Sequence, residues 1–329
     1  MMVKYLIIRF SSIGDIVLTT PVIRGLKQQV EGAEVHYLTK PQFSGILNEN
    51  PYVDKLLTLK ENINETIEEI IAEDYDYIID LHNNLRTSII KRKTGIIAFA
   101  FDKLNFKKWL LVNLKINKMP DVHIVDRYLD SVSVFDVNDD GQGLDYFIPE
   151  KDEVNPEEMH AAFKGKFMVV VVGANHNTKQ IPVEKIVSIA NQSGVPVCLI
   201  GGKDVEKQAA EIEKHLKVPF LNTVGKISLH NSASLIKQCD IVLTPDTGMM
   251  HIAAAFKKTI LSVWGNTVPE LGMYPYQAHK NSKVFEVKNL RCRPCSKIGY
   301  EKCPKGHFKC MNEIDNVQVV KYIETIINE

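Results

Sequence analysis

An acidic residue, Asp15, stands between a strand-like segment at residues 5–10 and a helical pattern that begins at residue 16. The turn ends in Ser-Ser-Ile-Gly-Asp, in which Gly14 permits a sharp change of direction. A carboxylate in such a turn can accept the proton of a hydroxyl group that attacks an electrophilic carbon, which is general base catalysis. It can also do no more than cap the helix, and the local sequence leaves both interpretations open.

A second candidate site follows the strand-like segment 241–244, where Thr-Pro-Asp-Thr-Gly leads into a helix of small residues that begins at Gly248. The first N–H groups of a helix lack intrahelical partners and lie at the positive end of its dipole, so they can bind a phosphate. Gly248 allows a ligand to approach the backbone closely. For Asp246, the alternative is an N-cap and nothing more.

A basic residue, Lys179, lies in a polar loop after the strand-like segment 167–172. Open α/β sheets bind ligands beyond the carboxyl ends of their strands, so we expect Lys179 to project into the cleft between two domains. The alternative is a solvated loop lysine.

The elements that must position these residues alternate between strands and helices along the whole chain, which predicts parallel sheets with right-handed crossovers. Strands are predicted at 5–10, 35–38, 55–59, 77–81, 96–99, 167–172, 197–200, 241–244 and 259–264. Helices are predicted at 16–30, 43–48, 63–73, 85–93, 183–192, 205–216, 228–237, 248–256 and 317–327.

A polar stretch at residues 149–156, bracketed by prolines, is the best candidate for a linker. It predicts two domains of similar size, 1–150 and 151–329, with a cleft between them. We expect the last helix to pack back towards the first domain.

Composition excludes several classes of protein. The 329 residues include 45% hydrophobic ones and have a formal net charge of +0, so no overall field favours nucleic acid. No apolar run approaches the roughly 18 residues of a spanning helix, and no signal peptide is evident, which predicts a soluble, cytoplasmic protein. The usual dinucleotide, P-loop, hydrolase and zinc-protease motifs are absent from the sequence.

Four of the six cysteines form a late cluster, Cys292-x2-Cys295-x7-Cys303-x6-Cys310. In a cytosolic chain such a cluster suggests metal binding before disulfides, and four thiolates suit tetrahedral zinc. The spacing is irregular, so free buried thiols and disulfides stay open as alternatives to a structural zinc site.

Taken together, the motifs resemble glycosyltransferase family 9, the lipopolysaccharide heptosyltransferases. The resemblance covers most of the chain and rests on RFSSIGDIVLTTPVIRGLK, DLHNNLRTS, HIVDRY, GANHNTKQIP, LIGGKDVE, VGKISL, TPDTGMMHIAAAF, VWGNTVPE and the cysteine run. It implies an α/β fold of the GT-B type, in which two Rossmann-like domains face each other across a cleft. It also implies an inverting transferase that uses a nucleotide sugar and requires no cofactor for catalysis.

The resemblance further implies roles for single residues. Asp15 is the general base, and Lys179 neutralises the departing nucleoside diphosphate. The donor sugar nucleotide is bound by Asn175, Lys179, Glu206, Ile227, Asp246, Thr247, Gly248, Met249 and His251 in the second domain, although the loop around Asn175 departs from the family pattern. The acceptor is bound in the first domain by Arg9, Ser11, Ser12, Gly14, Arg86 and Arg127, since arginines suit carboxylates and phosphates.

The function expected from these features is transfer of a heptose, or a related sugar, from ADP-heptose to a lipopolysaccharide core or lipid A precursor. The alternatives are a degenerate family member that binds nucleotide or partners without transfer, and a nucleotide-sugar-modifying enzyme. Residues 102–118 are basic and apolar, which suits peripheral contact with the cytoplasmic face of the inner membrane. The alternative is that their apolar side packs on the first domain. No nucleic acid partner is expected.

Overall fold

The computed structural model describes residues 2–328, which form two α/β units. The first unit contains the chain up to Leu104 together with Val122–Phe147. The second contains Asn105–Asp121 and the chain from Ile148 onwards.

The first unit is built on a sheet of five parallel strands in the order β3-β2-β1-β4-β5. Its strands are β1 (Val3–Ile8), β2 (Ala33–Thr39), β3 (Lys55–Thr58), β4 (Tyr77–Asp80) and β5 (Ile97–Ala100). Its helices are α1 (Ile13–Val17), α2 (Thr20–Gln29), α3 (Ile63–Ala72), α4 (Leu85–Thr94) and, beyond α5 (Asn105–Trp109) of the second unit, α6 (Ile124–Asp130).

The central strand of this sheet explains where the first site lies. In β1, Leu6, Ile7 and Ile8 are fully buried, as expected for a parallel strand covered on both faces. The strand order reverses between β1 and β4, and ligands of such sheets bind beyond the carboxyl ends at this point. The loop that contains Asp15 leaves the carboxyl end of β1 there.

The second unit has six parallel strands in the order β11-β10-β9-β6-β7-β8. They are β6 (Met168–Val171), β7 (Val197–Ile200), β8 (Phe220–Asn222), β9 (Ile241–Pro245), β10 (Thr259–Trp264) and β11 (Lys283–Glu286). The helices are α7 (Pro156–Met159), α8 (Val183–Ser193), α9 (Glu206–His215), α10 (Leu229–Gln238), α11 (Gly248–Ala255), α12 (Lys309–Asn312) and α13 (Asn316–Asn328).

The division into units corrects the predicted single boundary at residue 150. The main change of unit falls between Phe147 and Ile148, but Asn105–Asp121 also belongs to the second unit. Leu111 in this segment packs against Val268 and Leu271 of the second unit, whereas Phe106, Trp109 and Leu114 are exposed.

The last helix, α13, contributes its apolar side to the core of the second unit. Val319 and Ile323, one helical turn apart, are fully buried and belong to the same core cluster as Ile186 of α8. This apolar stripe packs the helix into the core of its own unit. Among residues 2–328, no helix is long and apolar enough to cross a membrane.

Candidate functional site

Asp15 lies in the first turn of α1, and its carboxylate accepts hydrogen bonds from neighbouring donors. The N–H of Ser12 lies 3.0 Å from Oδ2, and the Ser12 hydroxyl lies 2.7 Å from the same atom. Nη2 of Arg9 lies 2.5 Å from Oδ1. The side chain is 20% exposed, so Asp15 both caps the helix and presents a carboxylate to solvent. The two interpretations of the sequence are therefore compatible.

Arg9 holds this carboxylate from a largely buried position. Its Nε donates to the carbonyl of Ser11 at 2.8 Å, and its Nη1 donates to the carbonyl of Leu81 at 2.6 Å and to the hydroxyl of Tyr128 at 3.2 Å. Burial opposes the charge, yet the negative charge of Asp15 leaves the pKa of Arg9 above its usual value. Arg9, which was predicted to bind the acceptor, is the ion-pair partner of Asp15 in the structure.

The other predicted acceptor residues of the turn support the same geometry. Ser11 supplies a carbonyl to Arg9, Ser12 supplies two donors to Asp15, and buried Gly14 supplies a carbonyl that accepts from the N–H of Leu18 at 2.9 Å. The Ser11–Ser12 peptide bond is cis.

His82, which was not predicted, lies at the carboxyl end of β4 beside this turn. Its ring packs on Phe10, with 4.9 Å between ring centroids. Burial, followed by the charges of Arg9 and Lys103, lowers its pKa to about 4, so the imidazole is neutral near pH 7. Its place in the DLHNNLRTS motif, at the end of the strand that neighbours β1, was the available signal.

The two remaining arginines predicted for the acceptor differ in their surroundings. Arg86 is exposed on α4. Arg127 on α6 is only 7% exposed, and its Nη1 donates to the carbonyl of Asp102 at 3.1 Å. Its Nε and Nη2 have no hydrogen-bond partner within residues 2–328, and burial lowers its pKa.

In the second unit, the structure brings Lys179 and Asp246 together as an ion pair with 2.6 Å between Nζ and Oδ2. The hydroxyl of Thr267 donates to the same oxygen at 2.9 Å. The two loops meet because β6 and β9 are neighbours in the sheet, so their carboxyl ends lie side by side. The side chains are 16% and 11% exposed, which leaves both within reach of a ligand.

The helix that follows Asp246 presents its N-terminus beside this pair. Thr247 is the N-cap of α11 in an extended conformation, and Gly248 is the first helical residue. Thr247, Gly248 and Met249 are partly exposed, whereas His251 is buried. Because Lys179 neutralises Asp246, the dipole and the first N–H groups of α11 are available to an anion.

The other residues predicted for the donor lie around the same edge of the sheet. Glu206 begins α9, and its carboxylate packs so closely on Gly225, at φ +71°, that a side chain there would collide with it. Ile227 follows two residues later and is partly buried. Asn175 is exposed, with 3.3 Å between its Nδ2 and Nε2 of His176.

The cysteine-rich segment supports the loop that contains Thr267. Arg293, between the first two cysteines, donates through Nε to the carbonyl of Gly265 at 2.6 Å and through Nη2 to that of Thr267 at 2.8 Å. The N–H of Cys295 donates to the carbonyl of Asn266 at 3.0 Å. Sequence analysis did not predict this contribution of the segment.

The same segment also supports the loop that contains Lys179. The N–H and hydroxyl of Thr178 donate to the carbonyl of Tyr300 at 3.0 and 2.9 Å, and the Tyr300 N–H donates back to the hydroxyl at 2.8 Å. Both donor-side loops are therefore fixed by residues that surround the cysteines.

All six cysteines are free thiols. Burial, then the neighbouring Cys292, raises the pKa of Cys295 to about 11, and burial raises that of Cys310 to about 12. Within residues 2–328, no group of three or more His, Cys, Asp or Glu side chains is arranged to hold a metal ion. The zinc hypothesis therefore gains no support from the geometry of Cys292, Cys295, Cys303 and Cys310.

Two parallel α/β sheets with candidate sites at the carboxyl ends of their strands define the class of fold, which is of the GT-B type. The sequence pattern of glycosyltransferase family 9 (heptosyltransferase) matches residues 63–303, so the chain belongs to this family. The chain is 26% identical to lipopolysaccharide heptosyltransferase 1 of Campylobacter coli, with 99% of each protein covered. It is 24% identical to lipooligosaccharide heptosyltransferase 2 of Haemophilus ducreyi, with 81% of this chain and 84% of that protein covered.

Solved structures are similar over nearly the whole chain. A family 9 glycosyltransferase from Veillonella parvula has a TM-score of 0.80 at 21% identity, with 99% of this chain and 97% of that one covered. The ADP-heptose lipopolysaccharide heptosyltransferase II of E. coli has a TM-score of 0.72 at 18% identity, with 99% and 98% covered. At these identities the structures confirm the predicted fold.

Proposed function

We propose that this enzyme transfers a heptose, or a closely related sugar, from ADP-heptose to a lipopolysaccharide core or lipid A precursor with inversion at the anomeric carbon. The observation on which the proposal mainly depends is the Lys179–Asp246 ion pair beside the N-terminus of α11 in a family 9 chain. Relatives named lipopolysaccharide heptosyltransferases support the sugar and the acceptor, and a solved E. coli relative was crystallised with ADP.

The chemistry is a single displacement. An acceptor hydroxyl oxygen forms a bond to the anomeric carbon while the bond from that carbon to the β-phosphate oxygen breaks, and the electron pair leaves with ADP. Asp15 takes the hydroxyl proton as the new bond forms. The ion pair with Arg9 and the hydrogen bonds from Ser12 fix the direction of the carboxylate.

The leaving group gains negative charge as the bond to the sugar breaks. Lys179 and the first N–H groups of α11 stabilise this charge where it develops, which is the largest single contribution in many enzymes. These groups supply positive charge from the protein itself, so we propose transfer that needs no metal ion.

A donor screen tests the proposal. ADP-, GDP- and UDP-sugars are offered with a deacylated core acceptor, nucleotide release is measured with and without chelator, and the product's anomeric configuration is determined by NMR. We expect release from ADP-heptose, an inverted product and no loss of rate with chelator. Nucleotide binding without transfer would favour the degenerate family member, and conversion of the nucleotide sugar without acceptor would favour a modifying enzyme.

Arg127 is proposed to bind an anionic group of the acceptor, because it is buried with two donor atoms unpaired among the described residues. Arg127→Met is expected to raise the KM for the acceptor at least about tenfold, since a hydrogen bond between charged groups contributes about 1.5–3 kcal/mol. ADP affinity, measured by calorimetry, is expected to stay unchanged. Arg92→Met on the exposed side of α4 is the control, and an equal KM for both variants would contradict the assignment.

Peripheral contact with the inner membrane at its cytoplasmic face is proposed for residues 105–118. Leu111 anchors the segment, while Phe106 and Trp109 are 72% and 51% exposed and their rings stack with 6.5 Å between centroids. Lys107 and Lys108 lie between these two aromatic residues. Exposed aromatic rings beside lysines suit the interface of an anionic bilayer.

The double variant Lys107→Glu with Lys108→Glu tests this contact by sedimentation with anionic liposomes at low salt. We expect at least tenfold weaker binding, because each lysine near an anionic surface contributes about 1 kcal/mol. Transfer to a deacylated acceptor should persist. Lys214→Glu with Lys217→Glu makes the same charge change on exposed lysines of the same unit, and equal losses for the two pairs would refute a specific surface.

A further inference from the structure

The side chain of Asn266 is buried at the carboxyl end of β10, and its polar atoms are unpaired. The residue is only 2% exposed, and neither Nδ2 nor Oδ1 has a hydrogen-bond partner within residues 2–328. Buried carboxamides in native proteins are almost always hydrogen-bonded, because an unpaired polar group loses its hydration without compensation. A buried, unpaired carboxamide in a native protein therefore calls for an explanation, such as a ligand that pairs it.

Its place in the sheet puts it beside the donor motif. Val263 of β10 is in register with Pro245 of β9, so the residues that follow Val263 run alongside those that follow Pro245. The next residue, Thr267, donates its hydroxyl to Asp246, and consecutive Cα atoms are only about 3.8 Å apart. Asn266 therefore lies next to the group that holds the Lys179–Asp246 pair.

The backbone around Asn266 is fixed on every side. Its own carbonyl accepts from Cys295, and the carbonyls of Gly265 and Thr267 both accept from Arg293. A Cβ atom at Gly265 would lie 2.8 Å from the carbonyl oxygen of Thr178, so this loop is pressed against the loop of Lys179. The backbone carbonyls of residues 265–267 are therefore all paired, while the carboxamide of Asn266 is not.

The chemistry of the carboxamide favours hydroxyl-bearing groups over phosphate as its partner. It has two N–H donors and one carbonyl acceptor and carries no charge. Phosphate oxygens only accept hydrogen bonds, so a diphosphate would pair Nδ2 and leave Oδ1 unpaired. Sugar hydroxyl groups both donate and accept, so two of them can pair both atoms.

We propose that Asn266 forms a subsite for hydroxyl groups of the transferred sugar, adjacent to the diphosphate site. The assignment rests on the proposed function, because it requires a nucleotide-sugar donor in the second unit. It makes Asn266 a residue that distinguishes the sugar nucleotide from the nucleotide alone.

Asn266→Leu, which keeps size and removes both polar atoms, tests the subsite by calorimetry with ADP and with ADP-heptose. We expect at least tenfold weaker binding of ADP-heptose and ADP affinity within about twofold of the parent. The Tm of the free protein should not fall, because the variant removes a polar group that has no protein partner. Asn266→Asp, which keeps an acceptor and loses the donors, should also weaken ADP-heptose binding.

Asn50→Leu in the first unit is the matched control, because Asn50 is also buried but its Oδ1 accepts from the N–H of Tyr52 at 2.9 Å. It should lower Tm and leave both affinities unchanged. Equal loss of ADP and ADP-heptose affinity in Asn266→Leu, unchanged affinity for both, or a Tm loss like that of the control would each overturn the sugar subsite. If the parent protein binds neither ADP nor ADP-heptose, both the proposed donor and the sugar subsite are rejected.

Discussion

Replacing Asp15 with asparagine is expected to lower turnover at least about 100-fold, the usual scale for loss of a general base. The amide has the same size and can still accept hydrogen bonds from Ser12, but it cannot take a proton from the acceptor. ADP affinity should stay unchanged, because Lys179 and Asp246 belong to the other unit. Single-turnover rates with saturating donor and acceptor measure the effect.

The structure requires a stability control for this variant, since Asp15→Asn leaves the largely buried Arg9 without its carboxylate partner. The Tm should therefore be compared with that of Asp15→Asn combined with Arg9→Met, which removes the stranded charge. Both variants should be equally inactive even where their Tm values differ. Ser12→Ala, which retains the carboxylate, is expected to lose less than about tenfold. Turnover of Asp15→Asn near the parent rate would disprove the base assignment.

In the second sheet the inner strands were predictable from the sequence, and the two edge strands were not. Segments 197–200 and 259–264 were predicted with the bounds that the structure shows, because strands buried on both faces have continuous apolar runs. The edge strands Phe220–Asn222 and Lys283–Glu286 are short and partly exposed, so they have no such run.

Helical patterns predicted that a helix exists better than they predicted whether it is continuous. The single helix predicted at 16–30 is two helices, Ile13–Val17 and Thr20–Gln29, because Pro21 begins a new helix. The pattern of residues 102–118 predicted a basic and apolar segment, but not that Leu111 packs in the second unit. The packing of Leu111 depends on Val268 and Leu271, which are more than 150 residues away in sequence.

The two residues of the Lys179–Asp246 ion pair were predictable from the sequence, but the residues that surround the pair were not. Family motifs named Lys179 and Asp246, and the adjacency of β6 and β9 then brings them to 2.6 Å. The contribution of Arg293 could not be predicted, because it donates to backbone carbonyls, and every residue type has a backbone carbonyl. The VWGNTVPE motif contains Asn266 and contributed to the resemblance, yet only the geometry shows that its side chain is unpaired.

The second large effect is expected at the donor pair. Lys179→Ala should weaken ADP binding at least about tenfold and lower turnover further, because the charge on the leaving diphosphate develops as the bond breaks. Asp246→Asn should weaken ADP binding less. The carboxylate itself repels phosphate, and its contribution is to hold Lys179 and to accept from Thr267. Calorimetry with ADP measures the loss of ADP affinity, and single-turnover rates measure the loss of turnover.

A double-mutant cycle then tests whether Asp246 acts through Lys179. If it does, Asp246→Asn has little further effect in the Lys179→Ala background, and the coupling energy is at least about 1 kcal/mol. The exposed ion pair of Lys214 with Glu211, 2.8 Å apart, is the control, and Lys214→Ala should change ADP affinity by less than about twofold. Additive losses at Lys179 and Asp246 would mean that the two residues contact the donor independently. Unchanged ADP affinity in both single variants would place the diphosphate site elsewhere in the chain, because no other described cation pairs with an acid at the N-terminus of α11.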